Sequence, residues 1–261
     1  SKPAVTALSN GAKKAGCWMN TGEGGLSSYH LDGGCDIVFQ IGTAKNGVRD
    51  LEGNLNDDKL IEIAAHPQVK MFEIKMSQGA KPGKGGILPG AKVSAEIARI
   101  RGIPVGENAL SPNRHPEIRN NGDLLDMIGH IRGVTGKPTG FKTVIGAPSM
   151  LDDLFQEICQ RGAGSAPDFI TVDGRAGGTG AALARAALSS AEGGGSLPSV
   201  LGSFLRRFLY RLRAGLRFCS RLSRPSWPRM PPRRSAQIRC WRGLARIIMI
   251  SVRCLSRNIS W

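Results

Sequence analysis

The stretch VKMFEIKMSQGAKPGKGGILPGAK, residues 69–92, carries the fold prediction. It begins as an apolar, strand-like run over 69–76, and the part from Lys75 to Lys92 holds four lysines, five glycines and two prolines. Glycines let backbone N–H groups approach a ligand closely, and Lys81 and Lys84 are point charges suited to a carboxylate or phosphate. The segment therefore reads either as an anion site at the end of a strand or as a solvated surface loop.

Strand-like and helix-like segments alternate on both sides of this loop. Strands are predicted at 36–42, 69–76, 139–146 and 168–174, and helices at 3–16, 57–66, 94–102, 122–136 and 150–162. Asn56 and Ser94 are the expected N-caps of two of these helices. This alternation predicts βαβ units and a parallel sheet, whose ligands collect at the carboxyl ends of the strands. Polar side chains occur at such ends: Lys75, Gln78, Lys142 and Asp173.

Two further glycine-rich turns and one lysine complete the candidate site. The turn NTGEGG (20–25) offers Thr21 and Glu23, and VDGRAGGTGAA (172–182) begins with Asp173 after a strand. Asp173 is read either as a ligand-orienting carboxylate or as the N-cap of the next element. Lys142 lies inside the apolar run GFKTVI, where an unpaired ammonium group is costly to bury, so we expect it to project into a polar site.

The strong positive charge belongs to the end of the chain. The formal net charge is +16, but residues 201–261 contain 15 arginines and no Lys, Asp or Glu, so the other 200 residues carry 21 basic and 20 acidic groups. This arginine-rich tail is interpreted as a frameshifted sequence or as a real basic segment able to bind RNA or an anionic membrane. The scattered cysteines, without a C-x-x-C pair, and the absence of an apolar leader favour a cytoplasmic protein.

Several motifs taken in order resemble one family. They are NTGEGGLSSYHLDGGCDIVFQIGTAKNGVRD, VKMFEIKMSQGAKPGKGGILPGAKVSAEIARIRGIPVG, SPNRHPEI, GKPTGFKTVIGA and PDFITVDGRAGGTGAA. They look like the FMN-binding synthase domain of glutamate synthases over residues 1–182. The resemblance implies an α/β fold, a partial (β/α)8 TIM-type barrel of the FMN-binding glutamate synthase kind, followed by a non-homologous basic tail at 183–261.

The resemblance also implies a function and roles for individual residues. The family's reaction is the reductive amination of 2-oxoglutarate to L-glutamate through FMN, with nitrogen from ammonia or glutamine and with electron-donor and glutaminase subunits as possible partners. Lys142 and Gln78 are the implied catalytic residues, and Lys75 and Lys81 the implied substrate-binding residues. No residue is assigned to a metal. The implied FMN-binding residues are Thr21, Glu23, Gln78, Lys142, Asp173, Gly177, Gly178 and Thr179.

The sequence also departs from the family pattern. Ala176 stands at a position that is usually polar or acidic, and the last two barrel strands with their phosphate loops are not recognisable after residue 182. The C-x5-C-x4-C motif of the family's iron–sulfur cluster is absent, and Cys219, Cys240 and Cys254 are too far apart to replace it. We therefore expect a chain truncated at both ends whose enzymatic competence is in doubt. The alternatives are another FMN-barrel oxidoreductase or a protein that associates with RNA or membrane through its tail, although no specific nucleic-acid or membrane partner is expected.

Overall fold

The computed structural model describes residues 2–76, 85–144 and 148–173, and it centres on a parallel sheet. The sheet has five strands in the described residues: β1 (Met19–Asn20), β2 (Ile37–Ile41), β3 (Val69–Lys75), β6 (Thr139–Thr143) and β7 (Ile170–Val172). A separate antiparallel pair is formed by β4 (Ile87–Leu88) and β5 (Ala109–Leu110).

The strands of the parallel sheet lie in the order in which they occur along the chain, β1-β2-β3-β6-β7. A doubly wound sheet reverses its strand order at a switch point, whereas a (β/α)8 barrel adds each strand beside the previous one. The α/β prediction is confirmed, and the topology is consistent with part of a TIM-type barrel. The sequence predicted four strands; it missed the two-residue β1 and the short β4–β5 pair.

Helices connect the strands with the caps expected from the sequence. They are α1 (Lys2–Ala15), α2 (Ser28–Leu31), α3 (Asp57–Ala64), α4 (Ala95–Arg101), α5 (Asn121–Thr135) and α6 (Pro148–Arg161). Asn56 Oδ1 accepts from the Lys59 N–H at 3.0 Å, and Ser94 Oγ accepts from the Ile97 N–H at 3.3 Å. Gly102 ends α4 in the left-handed conformation, with φ of 69°, which glycine adopts without a Cβ penalty.

One face of the sheet is apolar and forms the core. Its fully buried side chains include Phe39 and Phe72, whose rings are 5.6 Å apart and tilted by 57°. Leu60 of α3 and Ile128 of α5 are also completely buried. Alternate strand residues therefore point toward the helical layer, and the residues between them point to the opposite face of the sheet.

The described residues form two compact units. One contains the parallel sheet, the β4–β5 pair and helices α1 to α5, together with 167–173; the other contains residue 144 and the segment 148–166 with α6. In α6 the apolar side chains with i, i+3 and i+4 spacing are buried: Leu151, Leu154, Phe155 and Ile158. Within the described ranges, no helix has the length and apolarity needed to cross a membrane.

Candidate functional site

The face of the parallel sheet opposite the apolar core is polar. The register pairs Gln40 with Glu73, and Lys75 with Lys142, which in turn pairs with Thr171. Residues paired in register point to the same face, so these side chains share one surface. Because all five strands run parallel, their carboxyl ends meet at one edge, and the charged residues of this face are concentrated there.

Lys75, the last residue of β3, forms an ion pair with Glu23 from the turn after β1. Lys75 Nζ lies 2.9 Å from Glu23 Oε2, and the Lys75 side chain is 13% exposed. The Glu23 carbonyl accepts a hydrogen bond from Asn46 Nδ2 at 2.9 Å. A Cβ at Gly42 would lie 2.7 Å from the Glu23 Cβ, so a glycine is required beside this carboxylate.

Lys142 of β6 lies beside Asp173, the residue after β7. Its Nζ is 3.6 Å from Asp173 Oδ1, and about a quarter of each side chain is exposed. The Asp173 N–H also donates to the Thr143 carbonyl at 2.9 Å. The Lys142 side chain thus reaches the carboxylate of Asp173, for which the sequence left two roles open.

Thr21 holds the end of β1 against β2. Its hydroxyl accepts from the Gln40 N–H at 2.9 Å and donates to the Gly22 carbonyl at 2.9 Å, while its own N–H bonds to the Val38 carbonyl. The hydroxyl therefore already has two partners within the protein.

Arg101, at the end of α4, is a basic residue of this region that the sequence analysis missed. Burial lowers the pKa of its guanidinium, while the negative charge of Glu23 acts in the opposite direction. Arg101 also lines a cavity of about 200 Å³. The other polar side chains of this cavity are Asn46, Arg49, Glu107, Asn108 and Ser111. Nothing in the sequence assigns Arg101 to the site, because an arginine in the last turn of a helix ordinarily interacts with the helix dipole.

Glu73 of β3 was also missed and is the most deeply buried acid of the polar face, at 2% exposure. Its Oε1 accepts from Asn20 Nδ2 at 2.9 Å and from Gln40 Nε2 at 2.6 Å, and its Oε2 accepts from the Thr171 hydroxyl. These donors come from β1, β2 and β7, so one side chain joins strands at both ends of the sheet order. Contacts that reach two strands away on either side require the polar face to be concave.

His115 supports the end of β3 from the loop after β5. The buried ring places Nε2 3.1 Å from the Lys75 carbonyl oxygen, and because a carbonyl only accepts, Nε2 carries the proton. Burial lowers the pKa of His115. The sequence analysis did not include His115 among the site residues, and its contact with the backbone of Lys75 makes it part of the support of the site.

The remaining predicted site residues cannot be placed. Gln78, Lys81, Gly177, Gly178 and Thr179 lie outside the described residues, as do Ala176 and the whole arginine-rich tail. In the described ranges, no group of three or more His, Cys, Asp or Glu side chains could hold a metal ion. The cysteines found there, Cys17, Cys35 and Cys159, are free thiols.

Comparison with known proteins gives consistent matches. A family profile described as a conserved region in glutamate synthase matches residues 1–195. The glutamate synthase large subunit-like protein YerD of Bacillus subtilis is 49% identical over 181 residues, which cover 69% of this chain and 34% of that protein. An archaeal-type glutamate synthase (NADPH) of Dehalococcoides mccartyi is 35% identical over 175 residues, covering 67% of this chain and 32% of that protein. An archaeal glutamate synthase (NADPH) of Methanocaldococcus jannaschii is 37% identical over 174 residues, covering 65% of this chain and 30% of that protein. The chain thus spans about a third of the length of these curated relatives.

Proposed function

The chain belongs to the glutamate synthase family, and from this premise we propose that it is part of an oxidoreductase that reductively aminates 2-oxoglutarate to L-glutamate with FMN as cofactor. In this proposal the five-stranded sheet is the described part of a (β/α)8 barrel, and its carboxyl edge carries the site. A reducing, cytoplasmic setting is part of the proposal and is supported by the free cysteines.

The observation that carries the proposal is the pair of lysines at neighbouring strand ends. Lys75 and Lys142 are register partners on β3 and β6, and each is ion-paired to a carboxylate, Glu23 or Asp173, at the same edge. Adjacent parallel strands lie about 4.8 Å apart, so the two lysine side chains start next to each other at this edge. Such a pair attracts a ligand with several carboxylate or phosphate oxygens, and both 2-oxoglutarate and FMN are ligands of this kind.

The residues described at this edge fit FMN by their donor chemistry. When bound, FMN would supply the hydride for reduction of the imine formed from the oxo acid and ammonia. Lys142 would hold positive charge beside the flavin ring, where it favours the reduced form, and Asp173 would fix the direction of that ammonium group. Gly42, just after β2, lets the turn that carries Glu23 pack directly against this edge.

The substrate would bind through its carboxylates. Lys75 would hold one of them after Glu23 moves aside or shares the ammonium group, and the half-buried Arg101 is a second basic group on the Glu23 side. His115 would maintain the position of Lys75 by holding its carbonyl. Electron-donor and glutaminase partners, and any iron–sulfur cluster, belong to the proposed whole enzyme.

A flavin titration of the 261-residue chain tests the proposal. FMN should bind with quenching of flavin fluorescence, and Lys142→Met should weaken that binding by about ten- to a hundredfold, because a hydrogen bond to a charged group is worth about 1.5–3 kcal/mol. Lys70→Met is the matched control: Lys70 lies at the opposite end of β3 with its side chain half exposed, and its replacement should leave FMN affinity unchanged. Absence of FMN binding by the wild-type chain would contradict the proposed cofactor. Equal FMN affinities of the two variants would contradict the proposed role of Lys142.

A further inference from the structure

Glu73 introduces a negative charge beneath the two lysines of the site. It is two residues before Lys75 on β3, and because β-strands rise about 3.3 Å per residue, the two Cα atoms are about 7 Å apart on the same face. In the described part of the chain, no basic side chain lies within ion-pairing distance of Glu73; its hydrogen bonds come from the neutral donors of Asn20, Gln40 and Thr171. All three groups donate, which is the arrangement that suits an ionised, acceptor-only carboxylate.

The buried position of this charge makes its field effective at the site. With 2% exposure, Glu73 is poorly screened by water and salt compared with a surface acid. Near the carboxyl edge, the positive charges of Lys75, Lys142 and Arg101 equal in number the negative charges of Glu23, Asp173 and Glu73. Without Glu73 the same edge would have an excess positive charge and would accept any compact dianion more readily.

We propose that Glu73 is a specificity-determining residue that disfavours anions with two charges on one centre, such as sulfate or phosphate, relative to a single carboxylate group. Its three neutral donors hold the charge in place without cancelling it, so the penalty acts on whatever anion reaches Lys75 or Lys142. The proposal depends on the proposed function only in taking these two lysines as anion-binding groups.

The size and the charge dependence of the effect follow from Coulomb's law. For an anion about 10 Å from Glu73, with an effective dielectric constant between those of water and the protein surface, removing the charge should tighten binding of a dianion about tenfold. Because the energy is proportional to the charge of the ligand, the gain for a monoanion should be about threefold. A neutral ligand should gain nothing.

The test is isothermal titration of the full chain and its variants with sulfate, acetate and 2-oxoglutarate. Glu73→Gln keeps the side-chain shape and removes the charge, and Glu73→Met does so without bringing an amide group against the Thr171 hydroxyl. Either variant should bind sulfate about tenfold and acetate about threefold more tightly than the wild type. Gln40→Met is the matched control, because it removes one donor from the network but keeps the charge; it should lower the melting temperature and leave sulfate binding unchanged.

The outcomes separate this inference from the proposed function. Tighter sulfate binding in the Glu73 variants supports the inference whether or not 2-oxoglutarate binds. If neither the wild type nor any variant binds 2-oxoglutarate, that result counts against the proposed function. Unchanged or weaker sulfate binding overturns it, as does an equal gain in Gln40→Met, which would indicate loosening of the sheet. Failure of both Glu73 variants to fold also overturns it and leaves Glu73 a purely structural residue.

Discussion

Acidification should destabilise the folded chain through two buried histidines, His30 and His115. The N–H of Ser27 donates to Nδ1 of His30 at 3.1 Å, so that nitrogen must be unprotonated in the fold. The Nε2 of His115 donates to the Lys75 carbonyl, and its Nδ1 is buried without a hydrogen-bond partner among the described residues. A proton added to His115 Nδ1 has no acceptor among the described residues, and one added to His30 Nδ1 would replace the hydrogen bond from the Ser27 N–H and could be accepted only by the Ser27 hydroxyl, 2.8 Å away. Burial is the main cause that lowers the pKa of each ring from 6.5.

The direction of the pH effect follows from these shifts. When the pKa of a group is lower in the folded than in the unfolded state, the unfolded chain binds more protons between the two values, so stability is complete above the unfolded pKa and falls as the pH drops below it. For each such histidine, lowering the pH from about 6.5 to 5.5 costs at most about 1 kcal/mol, the limit reached when the folded ring does not take up the proton in this range. The two together should therefore cost up to about 2 kcal/mol, a large part of a small domain's stability.

Urea unfolding at a series of pH values measures this loss. The matched variant is His30→Asn with His115→Gln, since an asparagine oxygen can accept from the Ser27 N–H and a glutamine amide can donate to the Lys75 carbonyl. Between pH 6.5 and 5.5 the double variant should lose less stability than the wild type, by up to about 2 kcal/mol. The difference between the two proteins cancels the contributions of all other titrating groups. Identical pH dependence in wild type and variant would refute the reasoning.

Two further predictions concern the backbone. Gly140→Ala should lower the free energy of unfolding in urea by more than about 2 kcal/mol, because its Cβ would overlap the Phe169 carbonyl and lie 2.7 Å from the Phe169 ring. Gly133→Ala in α5, where the Cβ would meet open space, should instead raise it by about 0.5–1 kcal/mol. Equal effects of the two substitutions would contradict this packing. Asn120→Ala should cost about 1 kcal/mol because Asn120 Oδ1 caps α5 by accepting from the Asp123 N–H at 2.9 Å, and an unchanged melting temperature would show that the cap adds nothing.

Local signals predicted most of the fold because the residues that determine each element are close in sequence. Asn56 and Ser94 cap the helices they were expected to cap, and Gly102 ends α4. The missed β1 shows where such reasoning fails, because Met19 and Asn20 form no apolar run. They become a strand only because the Met19 N–H donates to the carbonyl of Asp36, just before β2, and the Thr21 N–H donates to that of Val38 in β2. A two-residue strand is defined by its neighbour and has no signal of its own.

Part of the candidate site was predictable for the same reason. Lys75, Lys142 and Asp173 stand at or beside strand ends, and parallel strands bring their carboxyl ends together, so their proximity follows from the topology. The pairing of Lys75 with Glu23 did not follow, because it depends on how the turn after β1 folds over Gly42. Arg101 reaches this region from the end of a helix, which no strand-based argument could indicate.

Glu73 shows a more general ambiguity of strand patterns. In VKMFEIKM the polar residues Glu73 and Lys75 alternate with the buried Phe72 and Ile74, and this period of two is typical of a strand with one solvated face. The same pattern arises when the polar face lines the concave side of a curved sheet, where water is excluded and each acid must find donors. The sequence contains no local signal that separates these cases. The deciding evidence is long-range, because the donors to Glu73 stand 53 and 98 residues away along the chain, on β1 and β7. A charged residue placed on the wet face by its pattern, yet buried in the structure, is therefore where a functional role should be sought first.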